Sequence, residues 1–468
     1  MKLKASIAAC LALASIASAS GITLYEDIQT KQIFTEPGEN RQKLGNFIQE
    51  NNVAELMSKE VKGIPVTSKA KSLEFSGTHY FGFTSNSYGK DNANKGSSSA
   101  GFEMRRNYVQ AKAFLNDKDY FRVTLDAIKE LEAAPTANGM SSGYSGAFVK
   151  YAYLYLDNIL PYTGAEIGIA HRPWIDYEEH NGWFYRSFNK VLVEDKFSCY
   201  QATSGSSTTT CVGPDLVNSA DLGVNFKTKT PYFTSELGIF NGEGYHADKA
   251  AANQQNSNGG QMSYEWRLTA HPFGDGKKVG KYDLTKDEYA HISFAGLSSK
   301  NHKDNSVTVG DNAEYDRDFY IIHGVYNHPY GLIAAQYIDG KDKGHNAAAE
   351  AVSTVEKEYK AWSINGEIRP VKDWTIMARY DNLDVKYPKN PTAANYNNVA
   401  STYNDMKVGD ATQWIYGVAY KYSKNVTLLA TGKTVDAKDE TRFNNTTGQK
   451  VGDRADKQTW MLTTEVKW

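Results

Sequence analysis

The chain lacks several features that mark the common soluble and helical membrane proteins. Beyond its first nineteen residues it has no long apolar run, and its mean hydropathy is −0.56, which excludes a protein that crosses a bilayer with helices. Its 52 basic residues do not outnumber its 54 acidic ones, so no nucleic-acid partner is predicted. It has no His-Glu-x-x-His sequence and no phosphate-binding glycine loop. We therefore predict no enzyme activity, cofactor or metal, with an enzyme built on a barrel as the alternative.

Residues 1–19 have the composition of a secretory signal peptide. Lys2 and Lys4 precede an apolar stretch that ends in the cleavage site Ala17-Ser18-Ala19. The next segment, residues 20–70, differs from the rest of the chain. Its apolar spacing predicts a short helix in an N-terminal periplasmic segment, and a disordered leader is the alternative. The residues that carry this spacing are Leu44, Phe47, Ile48, Leu56 and Met57.

Cysteine is scarce, with three residues in the chain. Cys10 is removed with the signal peptide, which leaves Cys199 and Cys211 on either side of a loop rich in Ser and Thr. Two cysteines so placed in an exported chain predict a disulfide bond. A metal-binding pair or a reactive thiol is the alternative.

What the chain has in abundance is aromatic residues, with 31 Tyr, 19 Phe and 8 Trp, and 38 Gly. Many of them lie in alternating segments of about ten residues. In 373–381, for example, Trp374 and Ile376 share one face, while Arg379 and Asp381 share the other. Repeated segments with charge confined to one face are typical of a barrel whose wall faces lipid outside and water inside.

Short turns alternate with long polar loops along residues 71–468, as they do in outer-membrane barrels. We therefore predict an all-β fold, a transmembrane antiparallel up-and-down β-barrel of about sixteen strands. Both of its ends are predicted to lie on the periplasmic side. One connection, 274–287, is long where a turn is expected. The predicted strands are 72–84, 101–115, 119–131, 144–157, 163–172, 220–228, 231–241, 261–273, 287–297, 313–326, 329–339, 355–367, 373–385, 411–421, 425–435 and 457–468.

The longest loop, 173–219, is the third on the long-loop side. A barrel of this width has a water-filled interior, so we predict that this loop folds inward and narrows it. Charged residues of the loop and the inner wall would then set ion preference. The alternative is that they pair with one another and solvate the interior. The candidates for lining the pore are Arg106, Lys112, Arg122, Asp126, Glu166, Arg172, Asp176, Glu178, Glu179, Arg186, Lys190, Glu265, Arg267 and Arg379.

The last strand places Trp460, Leu462, Val466 and Trp468 on one face. Aromatic residues are favoured at the membrane–water boundary, so this face is predicted to meet lipid. The strand resembles the C-terminal strand that the bacterial barrel-assembly machinery recognises. An ordinary edge strand is the alternative.

Two segments resemble the phosphate-selective porins of Gram-negative bacteria. Residues 101–114 are similar to the second strand of that group, with its paired arginines at Arg105 and Arg106, and 236–244 resembles its Asn-Gly-containing strand end. The resemblance implies an outer-membrane porin, a homotrimer in a lipid bilayer, and lumen arginines and lysines that select phosphate.

We therefore expect a channel for passive diffusion of small hydrophilic solutes and ions. The rival hypothesis is a structural or adhesive outer-membrane barrel whose surface loops bind a partner. Because Asp176, Glu178 and Glu179 lie in the predicted constriction, a mild cation preference is expected. Inward-pointing Arg105 and Arg106 would reverse its sign.

Overall fold

A computed structural model describes residues 22–47, 69–88, 98–127, 147–201, 209–242, 244–245, 262–302, 313–346, 355–386, 410–438 and 457–468. The chain divides into two units, Met1–Val66 and Thr67–Trp468. The predicted signal peptide lies outside the described residues. Among these residues, no helix combines the length and the hydropathy needed to cross a bilayer.

The second unit is a closed antiparallel barrel, with sixteen strands in the described residues. Each strand pairs with its sequence neighbour in the barrel, and the last pairs with the first, so the sheet has no free edge. Each predicted strand corresponds to one observed strand, which confirms the predicted fold. The barrel strands are β4 (Ser72–Tyr88), β5 (Ser98–Phe114), β6 (Tyr120–Ala127), β7 (Ala147–Leu160), β8 (Thr163–His171), β11 (Ala220–Lys229), β12 (Phe233–Phe240), β13 (Ser263–Ala270), β14 (Tyr289–His302), β15 (Ala313–His328), β16 (Gly331–Asn346), β17 (Val355–Val371), β18 (Trp374–Lys386), β19 (Asp410–Lys421), β20 (Val426–Lys438) and β21 (Lys457–Lys467).

The predicted alternation of faces is visible in the side-chain burial. In β18, Trp374 and Ile376 are exposed on the outer surface, whereas Met377 and Arg379 are buried inside. Cross-strand neighbours keep this order, because each pair in the ladder between β18 and β19 places two outward or two inward residues opposite each other. The outer surface is therefore apolar and aromatic, as a lipid-facing wall requires.

The first unit contains three short strands and no described helix. They are β1 (Ile22–Asp27), β2 (Ile33–Phe34) and β3 (Arg41–Phe47), with β1 in the centre. The helix predicted to include Leu44 and Phe47 is therefore wrong for residues 41–47, because pairing of β3 with β1 overrides the weak local spacing. The remainder of the predicted helix lies outside the described residues.

The unexpectedly long connection, residues 271–288, is an ordered turn rather than a simple hairpin. It contains a short 3₁₀ helix, Gly276–Lys278. Asp283 then accepts hydrogen bonds from the Thr285 backbone and hydroxyl. These bonds and the Lys286 ammonium lower the pKa of Asp283 to about 2. The segment has a defined structure beyond what joining two strands requires.

Candidate functional site: a loop folded into the barrel

The segment between β8 and β11, residues 172–219, is called the inner loop here. Its described parts include α1 (Ile175–Asn181), a 3₁₀ turn (Leu192–Glu194) and the short strands β9 (Ser198–Gln201) and β10 (Thr209–Val212). The loop contacts β5 through Arg105 and β18 through Arg379, which belong to separate parts of the wall. The loop therefore lies across the interior, as predicted.

A hydrophobic core fixes the loop to one part of the wall. Ile175, Tyr177 and Trp183 are each at most 3% exposed and pack against inward residues of β14 to β21. Burial of an aromatic side chain of this size contributes about 2–3 kcal/mol. The wall residues of this core are Ala295, Leu297, Phe319, Ile321, Ile338, Tyr359, Ala361, Leu383, Val385, Ala411, Ile415, Val435, Ala437 and Met461.

Wall arginines hold the loop by its backbone. Loop carbonyls that lack helical partners need donors when they are buried. Arg105 donates to the Phe188 oxygen at 2.7 Å, and Arg379 donates to the Lys190 oxygen at 2.7 Å. Arg267 and Arg317 do the same for the oxygens of Pro173 and Leu216 at 3.1 and 2.6 Å. Arg267 and Arg379, two of the predicted pore-lining residues, therefore also serve as anchors for the loop.

Buried ion pairs surround the start of the loop. Arg172 pairs with Asp221 at 2.9 Å and with Glu265 at 3.1 Å. Arg267 pairs with Glu236 at 2.9 Å. Removing one member of such a pair leaves an uncompensated buried charge. The predicted site residues Arg172, Glu265 and Arg267 thus form a packed network in which each charge has a partner.

Glu166 and His171 belong to the same region of β8. The Glu166 carboxylate contacts His171 Nδ1 at 2.9 Å and the Lys227 ammonium at 2.9 Å. We predict His171 on a lipid or rim face from strict alternation. The structure places it inside, where its ring contacts Tyr151 and Tyr153, three residues after Gly168 with its φ of 130°.

The three acidic loop residues have different environments. Glu178 is buried and accepts hydrogen bonds from Trp174, at 2.7 Å, and from Gln336. Glu179 pairs with Arg186. Asp176 has a side chain that is 37% exposed and lies 3.8 Å from His171 Nε2. The loop thus exposes the Asp176 carboxylate to the open interior, whereas the carboxylates of Glu178 and Glu179 are bonded by neighbouring side chains.

Arg186 connects Glu179 to a second acid of the loop. Its guanidinium lies 2.7 Å from the Glu194 carboxylate, which also pairs with Lys190 at 3.0 Å. The group contains two acids and two bases, so its formal charges balance. The predicted residues Arg186 and Lys190 therefore contribute little net charge to the pore.

Strands β5 to β7, outside the part of the wall on which the loop core packs, carry a cationic strip, defined as Arg106, Tyr108, Arg122, Lys150 and Tyr151. Arg106 pairs with Asp126 at 2.8 Å. Lys150 donates to the Tyr108 hydroxyl at 2.5 Å, and Arg122 lies 4.7 Å from the Tyr151 ring centre. In the described residues neither Lys150 nor Arg122 has a carboxylate within 4.0 Å. Cation–π contacts partly replace such partners.

Sequence reasoning identified Arg106, Arg122 and Asp126 but missed Lys150 and the two tyrosines. Lys150 was missed because of a bulge between β6 and β7, where the register shifts between Thr124 and Leu125. A bulge turns an extra residue inward, and strict alternation does not identify it. A second bulge between β4 and β5, next to Tyr80, explains why adjacent Arg105 and Arg106 both point inward. Lys112, the remaining predicted residue, pairs with Glu74 at 3.5 Å.

The predicted disulfide partners are directly opposite each other in the backbone. Cys199 in β9 pairs with Cys211 in β10 in an antiparallel ladder. Opposed residues in such a ladder have Cα atoms about 4.5–5.5 Å apart, within the range of a disulfide. The backbone register is therefore compatible with the predicted bond.

The last strand closes the barrel. Trp460 and Leu462 are exposed on the outer face, as predicted, and Met461 is buried inside. The Trp468 backbone exchanges two hydrogen bonds with Gly77, and its indole nitrogen donates to His79 Nε2 at 2.8 Å. Val466 pairs with His79 in the same ladder. These contacts join β21 to β4, the two strands that close the barrel.

Comparisons with known proteins place the fold. No protein-family model matches the chain, and no curated protein matches its sequence. The anion-selective porin of Comamonas acidovorans superposes with a TM-score of 0.51 at 11% identity, over 85% of this chain and 99% of the other. OmpT of Vibrio cholerae gives 0.49 at 14% identity, over 86% and 99%. OmpF of Salmonella typhi gives 0.48 at 10% identity, over 86% and 99%. With sixteen strands, an apolar outer surface and an inward-folded third loop, the chain has the fold of a Gram-negative outer-membrane porin.

Proposed function

We propose that the protein is a passive diffusion channel for small hydrophilic solutes and ions in the Gram-negative outer membrane. The observation that carries this proposal is the inner loop, which is fixed across the interior and faces the cationic strip with Asp176. A wall and a loop that present opposite charges across a narrowed lumen are suited to sort ions by charge. The proposal assigns no catalytic step to the chain.

We further propose a weak anion preference, the reverse of the preference expected from loop composition. Glu178 is sequestered, and Glu179 and Glu194 are neutralised by Arg186 and Lys190. Asp176 then faces Arg122, which lacks a carboxylate partner within 4.0 Å in the described strands. Phosphate, which the resemblance implies, is one anion to test.

Reversal potentials in a salt gradient test both parts of the proposal. The wild-type barrel should give stepwise, ohmic channels, and the sign of their reversal potential should indicate anion preference. Arg122→Gln should move that potential toward cation preference, more strongly at low salt because screening weakens. The control Lys118→Gln removes the same charge from an exposed turn, where Lys118 pairs with Asp157, and should leave the potential unchanged.

The absence of channels in membranes that contain folded wild-type barrel would contradict the proposal. That result would favour a structural or adhesive barrel whose surface loops bind a partner. A homotrimer, as the resemblance implies, is part of the proposal. Crosslinking and mass measurement of the detergent-solubilised protein test it, and a monomer would contradict this part alone.

A further inference from the structure

The ordered turn 271–288 brings three metal-ligating side chains together at the short-turn end of the barrel. His271 follows β13, Asp275 lies in the turn, and His291 lies near the start of β14. One potential ligand atom from each lies within 4.8 Å of the other two. None of the three belongs to the cationic strip, and His291 meets the inner-loop core through the Tyr177 hydroxyl.

We propose that His271, Asp275 and His291 bind a divalent transition-metal cation such as Zn²⁺. Two imidazoles and one carboxylate form a donor set that such cations prefer. This inference is independent of the channel proposal, because it concerns a site in the turn rather than the passage of solutes.

Unpartnered buried atoms support the proposal. His271 is 1% exposed, and its Nδ1 atom has no hydrogen-bond partner. Both carboxylate oxygens of Asp275 are likewise buried without a partner of hydrogen-bond geometry. Burying a carboxylate without a partner is costly, so such groups normally pair or coordinate a cation. The distance from His271 Nδ1 to an Asp275 oxygen is 3.8 Å. That is too long for a hydrogen bond but matches two ligands that share one cation, which lie roughly 3–4 Å apart.

The surrounding residues orient the proposed ligands. Thr234 Oγ1 lies 2.9 Å from His271 Nε2 and can accept a hydrogen bond from the Nε2–H, which leaves the Nδ1 lone pair for a metal. The Tyr177 hydroxyl lies 3.0 Å from His291 Nδ1. Metal-binding histidines usually have such a partner on the second ring nitrogen, because it fixes the tautomer and the ring orientation.

The Tyr282 hydroxyl lies at the remaining ligand position of the proposed metal site. Its hydroxyl lies 3.0 Å from His291 Nε2 and donates to the Asp275 backbone oxygen at 3.2 Å. His291 Nε2 is therefore the nitrogen on the Asp275 side. The phenol is placed either to become a further ligand or to be displaced when a metal binds.

The backbone holds Asp275 in place. Gly274 adopts a φ of 71°, and its N–H donates to the His271 oxygen at 2.9 Å, which turns the chain back toward the histidine. Gly276 donates to the Pro231 oxygen at 2.7 Å. A Cβ atom on Gly276 would lie 2.4 Å from the Thr230 oxygen. These close contacts fix the carboxylate beside the imidazoles before any metal arrives.

The test uses the full-length barrel, purified from outer membranes without a histidine tag and stripped with a chelator. Calorimetry with Zn²⁺ should give one site per chain, and Co²⁺ should give a visible d–d absorption spectrum. Asp275→Asn keeps the side-chain volume and should weaken Zn²⁺ binding by more than about tenfold. The control His328→Ala removes a histidine from the end of β15, on the same side of the barrel, and should bind Zn²⁺ like the wild type.

Heat-modifiable migration on gels verifies that each variant is folded. If His271→Ala fails to fold, His271→Gln and Asp275→Asn still decide the question. The proposal is overturned if the wild type binds no Zn²⁺, or if folded Asp275→Asn binds it as tightly as the wild type. Binding of Ca²⁺ in place of Zn²⁺ would also overturn it, because it would contradict imidazole ligation.

Discussion

The inner wall of the barrel has two parts with different chemistry. Strands β14 to β21 present apolar residues that pack against the inner loop, whereas β5 to β7 present the cationic strip. Both parts follow the same rule of alternating faces, apart from the bulges at Arg105 and Lys150, and both have apolar outer surfaces. The comparison shows that alternation largely determines which residues point inward, but not whether those residues pack against the inner loop or face water.

The largest effect should come from the junction between the two parts, where β21 meets β4. Trp468→Glu removes the indole bond to His79 and places a charge at the membrane boundary. We expect little or no assembled barrel in the outer membrane, measured by heat-modifiable migration. Normal assembly of this variant would show that the final aromatic residue is dispensable.

Packing of the inner loop on β14 to β21 can be tested at Trp183, which is 1% exposed in the loop core. Trp183→Ala should destabilise the docked loop by about 3–5 kcal/mol. Single channels should then become larger and noisier, and the barrel should unfold at a lower temperature. Trp374→Ala is the matched control, because that side chain is 45% exposed on the outer surface. Equal effects of both substitutions would contradict the assignment of two different surfaces.

A smaller, local effect is expected at the predicted disulfide. Closing so short a loop should stabilise this part of the inner loop by about 3 kcal/mol. Mass mapping of unreduced peptides should find Cys199 joined to Cys211, and reduction should increase channel noise less than Trp183→Ala does. Two free thiols in protein from the outer membrane would refute the bond.

The smallest effect is expected when single acidic residues of the inner loop are replaced. Asp176→Asn should shift the reversal potential further toward anions, because an exposed negative charge is lost. Glu178→Gln should leave it unchanged, because that carboxylate is sealed by Trp174 and Gln336. A shift of the same size in both variants would mean that Glu178 also faces the channel.

The strand pattern could be predicted from the sequence because burial imposes a period of two residues on each strand. The faces of 313–326 and 329–339 could not be predicted. Ile321 packs inward on the loop while Ile322 faces outward, so apolar residues occur on both faces. Inward residues at these positions are apolar because a distant segment packs against them, and the local periodicity of the sequence does not show this.

The candidate site was predicted less completely, for two physical reasons. Bulges turned Arg105 and Lys150 inward against the local alternation. In addition, Arg267 and Arg379 are charged, as residues that line a pore often are, but they donate hydrogen bonds to loop carbonyls. Charge alone could not distinguish a residue that meets solute from one that supports the backbone of its neighbour.

The docked loop also constrains the order in which the barrel can fold. Asn365 donates to the Gly182 oxygen, and Arg379 donates to the Lys190 oxygen, across 183 and 189 residues of chain. The loop is separated by much of the chain from the strands that receive it, and contacts of such long range form late. Until those strands arrive, Ile175, Trp183 and their apolar neighbours have no surface to cover them. Loop docking and barrel closure should therefore be coupled late events, and the unclosed intermediate should be the form most prone to aggregate.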